Sequence, residues 1–154
     1  MVQEGETAPE FTLTADDGNE VRLSGLRGNR VVLYFYPKDD TPGCTTEACE
    51  FRDHLGRFDS EDVLVFGISP DAVESHRKFK EKYGLTFPLL ADDDHAVAER
   101  YGVWKEKNMY GRKYWGVERT TFLIGEDGVV ERVWKRVRPK GHAQSVADAL
   151  GAGE

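Results

Sequence analysis

Val31-Val32-Leu33-Tyr34-Phe35-Tyr36, followed at once by Pro37-Lys38-Asp39-Asp40-Thr41-Pro42-Gly43-Cys44, is the stretch on which the reading of this chain turns. The first six residues are β-branched, aliphatic or aromatic and do not alternate with polar ones. That pattern predicts a strand covered on both faces. Pro37 stops the strand, and the residues after it favour a turn. A helical pattern then begins between Thr41 and Cys44 and is expected to run towards Phe58. Thr41 suits the N-cap and Pro42 the first turn. Phe51, Leu55 and Phe58 recur at helical spacing, so that face should point to the core.

Working outward, Val63 to Ile68 predicts a second buried strand. Ser69 or Asp71 can cap a helix over about Asp71 to Tyr83, which Gly84 ends. A short strand over Phe87 to Ala91 and a short helix over about Asp94 to Tyr101 follow. Lys105 to Gly116 is an aromatic-rich excursion with no assigned element. Thr120–Ile124 and Val129–Arg136 read as a hairpin around Gly125-Glu126-Asp127-Gly128, and a last helix covers about Gly141 to Leu150. Strands alternating with helices predict an α/β domain with helices on both faces of a central sheet, and the closing hairpin makes that sheet mixed. A thioredoxin-like sandwich forming one domain over residues 1–154 is the economical solution. In such sheets the site lies at the carboxyl ends of the strands, which singles out the end of Val31–Tyr36.

The chain has 154 residues and a formal net charge of −7. Such an acidic chain repels polyanions, which argues against nucleic acid as a partner. The basic stretches Arg132–Lys140 and Lys105–Lys113 are expected to be solvated faces. No apolar run approaches the length of a membrane span, and the first residues carry neither a basic region nor an apolar one, so no secretory signal is expected. A cytoplasmic location follows, where thiols are kept reduced. The two cysteines, Cys44 and Cys49, are then packed apolar residues, metal ligands or redox centres. His54 continues their spacing of five, which puts no three ligands on one helical face and matches no common zinc pattern.

Placement favours the redox reading for Cys44. A cysteine in the first turn of a helix meets unpaired backbone N–H groups and the positive end of the macrodipole, which favour thiolate. Bringing a thiol from its ordinary pKa of about 8.5 to about 6 takes roughly 3.4 kcal/mol. A helix start supplies roughly 0.3–1 kcal/mol, and about 2 when partly buried. A nearby cation is therefore expected. Glu47, three residues on and on the same face, opposes the thiolate unless that cation also pairs with it. An arginine suits both acceptors, because its planar fork can serve two and it stays charged. On one continuous helix Cys44 and Cys49 would stand about 8.6 Å apart at Cα and about 140° around the axis. Disulfides rarely span more than about 7 Å, so a bond between them requires part of that helix to unwind.

Pro37 to Cys44 resembles the active-site loop of the peroxiredoxins, and Thr45-Thr46-Glu47-Ala48-Cys49 resembles the branch known as bacterioferritin comigratory protein or peroxiredoxin Q. Gly5 to Leu13, Phe87 to Asp92 and Glu118 to Ile124 are similar to further family segments. The resemblance implies a peroxidase in which Cys44 is the peroxidatic thiolate and Cys49 the resolving thiol. It further implies that Thr41 hydrogen-bonds the peroxide, Pro37 shields the thiolate, Arg119 is the cation and Glu47 orients it. Hydrogen peroxide and organic hydroperoxides would be the substrates and thioredoxin or a similar dithiol the reductant, with a monomer, no metal and no cofactor. From the residues alone each has a plainer role: Thr41 a cap, Pro37 a strand terminator, Glu47 a first-turn acid, Arg119 a surface charge and Cys49 a core residue. The rival activities are a general thiol–disulfide oxidoreductase, which would normally separate its cysteines by two residues, and a one-cysteine peroxidase using an external thiol. The aromatics Trp104, Tyr110, Tyr114 and Trp115 can wall a site, form a docking surface or pack in the core.

Overall fold

The computed structural model describes residues 1–151, so the end of the domain expected to reach Glu154 lies outside the described residues. The elements are β1 (Thr12–Ala15), β2 (Glu20–Arg22), β3 (Arg30–Phe35), α1 (Pro42–Asp53), α2 (Leu55–Ser60), β4 (Val63–Ser69), α3 (Val73–Tyr83), β5 (Leu89–Ala91), α4 (Ala96–Tyr101), β6 (Trp104–Met109), β7 (Arg112–Val117), β8 (Thr120–Ile124), β9 (Val130–Trp134) and α5 (His142–Gly151). Seven strands form one sheet in the order β2-β1-β5-β4-β3-β8-β9, and β6 pairs with β7 separately. β3 runs parallel to β4, and β4 to β5, whereas β8 lies antiparallel to β3. The sheet is therefore mixed, as its closing hairpin predicts.

β3 lies inside the sheet between β4 and β8, and both of its faces are apolar. Val31, Leu33 and Phe35 pack with Phe122 and with Val97 and Tyr101 of α4 on one face. Val32, Tyr34 and Tyr36 pack with Phe51 of α1, Phe58 of α2, Phe79 of α3 and Val146 of α5 on the other. Helices thus cover both faces, and the absence of alternation in this strand has its physical cause in two cores rather than one. Tyr34 stacks on Phe51 with ring centroids 4.6 Å apart. Its ring fits because the residue opposite on β4 is Gly67, where a Cβ would lie 2.8 Å from Tyr34 Cζ.

Several boundaries differ from the sequence expectation. The helix expected to run unbroken to Phe58 stops at Asp53, and α2 starts anew at Leu55. His54 leaves helical geometry at φ −99° and ψ 4°, with its Nδ1 2.9 Å from the Glu50 carbonyl oxygen. α3 begins at Val73 with Ala72, not Ser69 or Asp71, at the N-cap, because the Asp71 carboxylate accepts from Ser69 Oγ and the Asp39 N–H instead. The strand expected from Phe87 begins at Leu89 and the helix expected from Asp94 begins at Ala96, where Asp92 accepts from the Val97 and Ala98 N–H groups. β9 occupies Val130–Trp134 of the expected Val129–Arg136. The hairpins β1–β2 and β6–β7 were not expected at all. Both are short or carry too many exposed polar positions for period-two alternation to stand out.

Gly67→Ala forces the new methyl against Tyr34 and Leu89 Cδ2, 3.0 Å away. Overpacking of this kind is expected to lower the unfolding free energy by about 1–3 kcal/mol, read from the urea midpoint at unchanged slope.

Candidate active site

The turn between β3 and α1 places Cys44 in the first turn of α1, buried to 1% exposure beneath the end of the central strand. β8 is antiparallel to β3 with Thr120 opposite Phe35. The residue just before β8, Arg119, is therefore delivered to the carboxyl end of β3. Its Nη2 donates to Cys44 Sγ at 3.3 Å and its Nη1 to Glu47 Oε1 at 2.6 Å. One guanidinium thus holds the sulfur and the carboxylate together, which is the arrangement the opposition of Cys44 and Glu47 called for.

Burial sharpens each of these charges. Glu47 is fully buried, and desolvation pushes its carboxyl up to about 7, against the pull of the Arg119 guanidinium beside it. Its Oε2 has no hydrogen-bond partner among the described residues. Arg119 is held charged: burial opposes this, but Glu47 and Cys44 together raise its pKa. Gly43 is part of the same fit, since a Cβ there would lie 3.3 Å from both Arg119 Nη2 and Pro139 Cγ. Close approach of the guanidinium to the helix start thus depends on a missing side chain, a signal available in the sequence that went unused. Lys107, on β6, was expected on a solvated face. It is half-buried instead, and burial and then the Arg119 charge lower its pKa, while Cys44 acts in the opposite sense. The separation of 63 residues from Cys44 in the chain hides this second cation from any reading by spacing.

The remaining expected residues are placed less directly. Thr41 takes the N-cap position of α1 but makes no side-chain cap bond. Its hydroxyl donates to the Lys38 carbonyl oxygen at 2.9 Å, leaving the oxygen lone pairs free to accept. Pro37 is half-buried at the end of β3. Cys49 lies on the same unbroken helix as Cys44, half-buried, and both thiols are free. Of the aromatics, Tyr110, Tyr114 and Trp115 are exposed on the β6–β7 hairpin, whereas Trp104 stacks on His95 with centroids 4.0 Å apart.

A buried thiol held by an arginine at the end of β3 is the arrangement of a thiol-based redox enzyme. Comparison with known proteins agrees: residues 5–133 match the AhpC/TSA family. Peroxiredoxin Bcp of Bacillus subtilis is 50% identical over 149 residues, covering 97% of this chain and 93% of its own. The solved bacterioferritin comigratory protein of Xanthomonas campestris, described for its alkyl peroxide reduction activity, is 43% identical with a TM-score of 0.89, covering 93% of this chain and 91% of that one. Peroxiredoxin Q of Xylella fastidiosa, solved as a cysteine-to-serine mutant, is 38% identical with a TM-score of 0.94 over 99% of this chain and 98% of that one. The chain belongs to the AhpC/TSA family and, within it, to the Bcp or peroxiredoxin Q proteins. It is a thiol peroxidase with the thioredoxin-like fold. Among the described residues no helix is long and apolar enough to cross a membrane.

Glu47 binds its proton more tightly in the folded chain than its ordinary value of 4.5. Its contribution to stability is therefore complete below pH about 4.5 and fades as the pH rises through about 7. Glu47→Gln removes this titration. The variant is expected to gain stability relative to the parent by about 1 kcal/mol or more between pH 5 and pH 8, read from urea midpoints across that range.

Proposed function

We propose that Cys44 is the peroxidatic thiolate, that Cys49 resolves it within the same chain, and that Arg119, Glu47, Thr41 and Pro37 serve the first step. The observation that carries this reading is the Arg119 fork, which reaches Cys44 Sγ and Glu47 Oε1 together. The thiolate attacks one peroxide oxygen, the O–O bond breaks, and the departing oxygen takes a proton to leave as water or an alcohol. Cys44 is then a sulfenic acid. Arg119 favours the anion before attack and stands beside the charge that develops on the leaving oxygen. Thr41 accepts the peroxide O–H through the lone pairs its bond to Lys38 leaves open, and Pro37 limits water at the sulfur.

The Cys49 thiol then attacks the Cys44 sulfenic sulfur, forming the disulfide and releasing water. Both residues lie within α1, so that step needs a turn of helix to unwind. The helix is tied down on both sides of Cys49. Cys44 and Glu47 hold Arg119 on one side. On the other, Phe51 is fully buried and Glu50 Oε1 accepts the Gly141 N–H at 3.0 Å. Exposing Phe51 alone would cost about 1.5–3 kcal/mol, which a covalent bond repays. A dithiol such as thioredoxin reduces the disulfide and becomes oxidised itself. Hydrogen peroxide and organic hydroperoxides are the substrates, the latter as in the Xanthomonas relative, and the enzyme acts as a cytoplasmic monomer of one domain.

One equivalent of hydrogen peroxide is expected to remove both free thiols of the reduced protein without forming a dimer, as seen by intact mass and thiol titration. Cys49→Ser should stop at a Cys44 sulfenic acid, and Cys44→Ser should abolish turnover; peroxidase activity retained by the latter would overturn the assignment. Arg119→Met is expected to slow the peroxide step by at least about 10²-fold, measured by stopped flow. Hydrogen exchange should show α1 amides losing protection in the disulfide form, and full protection there would exclude the intramolecular bond.

A further inference from the structure

The active-site turn is fastened from below by a buried polar network that the reaction as described does not use. Asp39 lies in that turn, between Pro37 and Thr41, with its side chain only 4% exposed. Its Oδ1 accepts from Tyr36 Oη at 2.6 Å and its Oδ2 from Ser75 Oγ at 2.8 Å. His76 Nδ1 stands 2.7 Å from the same Oδ2. The other ring nitrogen of His76, Nε2, is 2.9 Å from the Leu90 carbonyl oxygen. A carbonyl can only accept, so Nε2 carries a hydrogen. Nδ1 and Oδ2 therefore meet across one shared proton in a site where His76 is entirely buried. Removing one partner would leave the other buried and unpaired, at a cost well above that of an exposed hydrogen bond.

This network controls a particular atom. Asp39 is covalently joined to Lys38, whose carbonyl oxygen is what the Thr41 hydroxyl donates to. Fixing Asp39 fixes the Lys38 carbonyl, and the Lys38 carbonyl sets the Thr41 rotor. Asp40, in the same turn, sits at φ +56°, a left-handed conformation that aspartate adopts more readily than most residues. α3 holds that residue too, through Lys82 Nζ and Tyr83 Oη, each 2.8 Å from the Asp40 carboxylate. The Asp39 N–H adds a bond to Asp71 Oδ2 at 2.9 Å.

We propose that Asp39 and His76 are positioning residues for the peroxide step, acting through the Lys38 carbonyl to aim the Thr41 hydroxyl at the oxygen that Cys44 attacks. The inference rests on the proposed role of Thr41 at Cys44. Reaction with peroxide needs the aimed hydroxyl, whereas alkylation of Cys44 by iodoacetamide needs only the thiolate and Arg119. The two reactions should respond differently to loss of the network.

The test compares both rates in a Cys49→Ser background, where Cys44 is the sole thiol. Asp39→Ala is expected to lower the second-order rate constant with hydrogen peroxide by about tenfold or more, since misplacement of a positioning group by about 1 Å can cost about 10²-fold. The iodoacetamide rate should change by less than about twofold. Asp39→Asn can donate its amide to Nδ1 and still accept from Tyr36, so it should restore most of the peroxide rate. In a Thr41→Val background Asp39→Ala should have little further effect, because the two residues act in series. Ser75→Ala removes one bond to Asp39 without opening the core and should show the same selective loss in smaller measure if Asp39→Ala fails to fold. A peroxide rate unchanged in Asp39→Ala, an equal fall in both reactions, or full additivity with Thr41→Val would overturn the proposal. Failure of the underlying reading looks different: the parent protein would then show no Cys44-dependent consumption of peroxide at all.

Discussion

One guanidinium spans two acidic groups that would otherwise repel each other inside the protein. Arg119 reaches both Cys44 and Glu47, and neither position would be tenable in its present form without it. At an effective dielectric of about 20, opposite unit charges about 4 Å apart attract by about 4 kcal/mol, several times what a helix start supplies. The helix terminus supplies less than that by itself, and Arg119 is the cation that stands at the sulfur. Much of the surrounding architecture serves this contact. The antiparallel β3–β8 register sets where Arg119 emerges, Gly43 leaves room for it, and buried Glu47 fixes the plane of its fork.

In the proposed cycle the same helix that displays the thiol also has to yield. α1 is anchored by Phe51 in the core and by Glu50 at the start of α5, so on that reading its folded form serves the peroxide step and resists the disulfide. The turn before it is different in character. It carries a left-handed Asp40 and a buried Asp39–His76 pair tied into α3 and β5. A segment held by polar bonds to two neighbouring elements can stay in place while the helix next to it opens. In the proposed cycle this separates a fixed peroxide-binding side from a moving thiol side.

Much of this was legible in the residues. The unalternating strand, the proline that stops it and the cysteine at the following helix start pointed to the sheet and to the candidate site. The demand for a cation came from comparing energies, and its name, Arg119, from family resemblance. Spacing could not have supplied that name, because Cys44 and Arg119 are far apart in the chain and meet only through strand pairing. The weaker readings failed where local pattern is faint. The β6–β7 hairpin has exposed positions on both faces, His54 breaks a helix that its neighbours would continue, and Thr41 spends its hydroxyl on Lys38 rather than on the helix it precedes. The half-burial of Lys107 and the pairing of His76 with Asp39 had no local signal of any kind.

By itself the sequence determined the class of fold and singled out Cys44 as the candidate reactive thiol, because apolar periodicity, proline and helix-start chemistry act over a few residues. Only the tertiary structure decided what surrounds that thiol. Which cation faces it, which carboxylate is stripped of water beside it and which buried histidine steadies its loop depend on register across the sheet and packing between layers. Those are interactions between residues distant in the chain, and burial, which gives them their strength, exists only once the chain has folded.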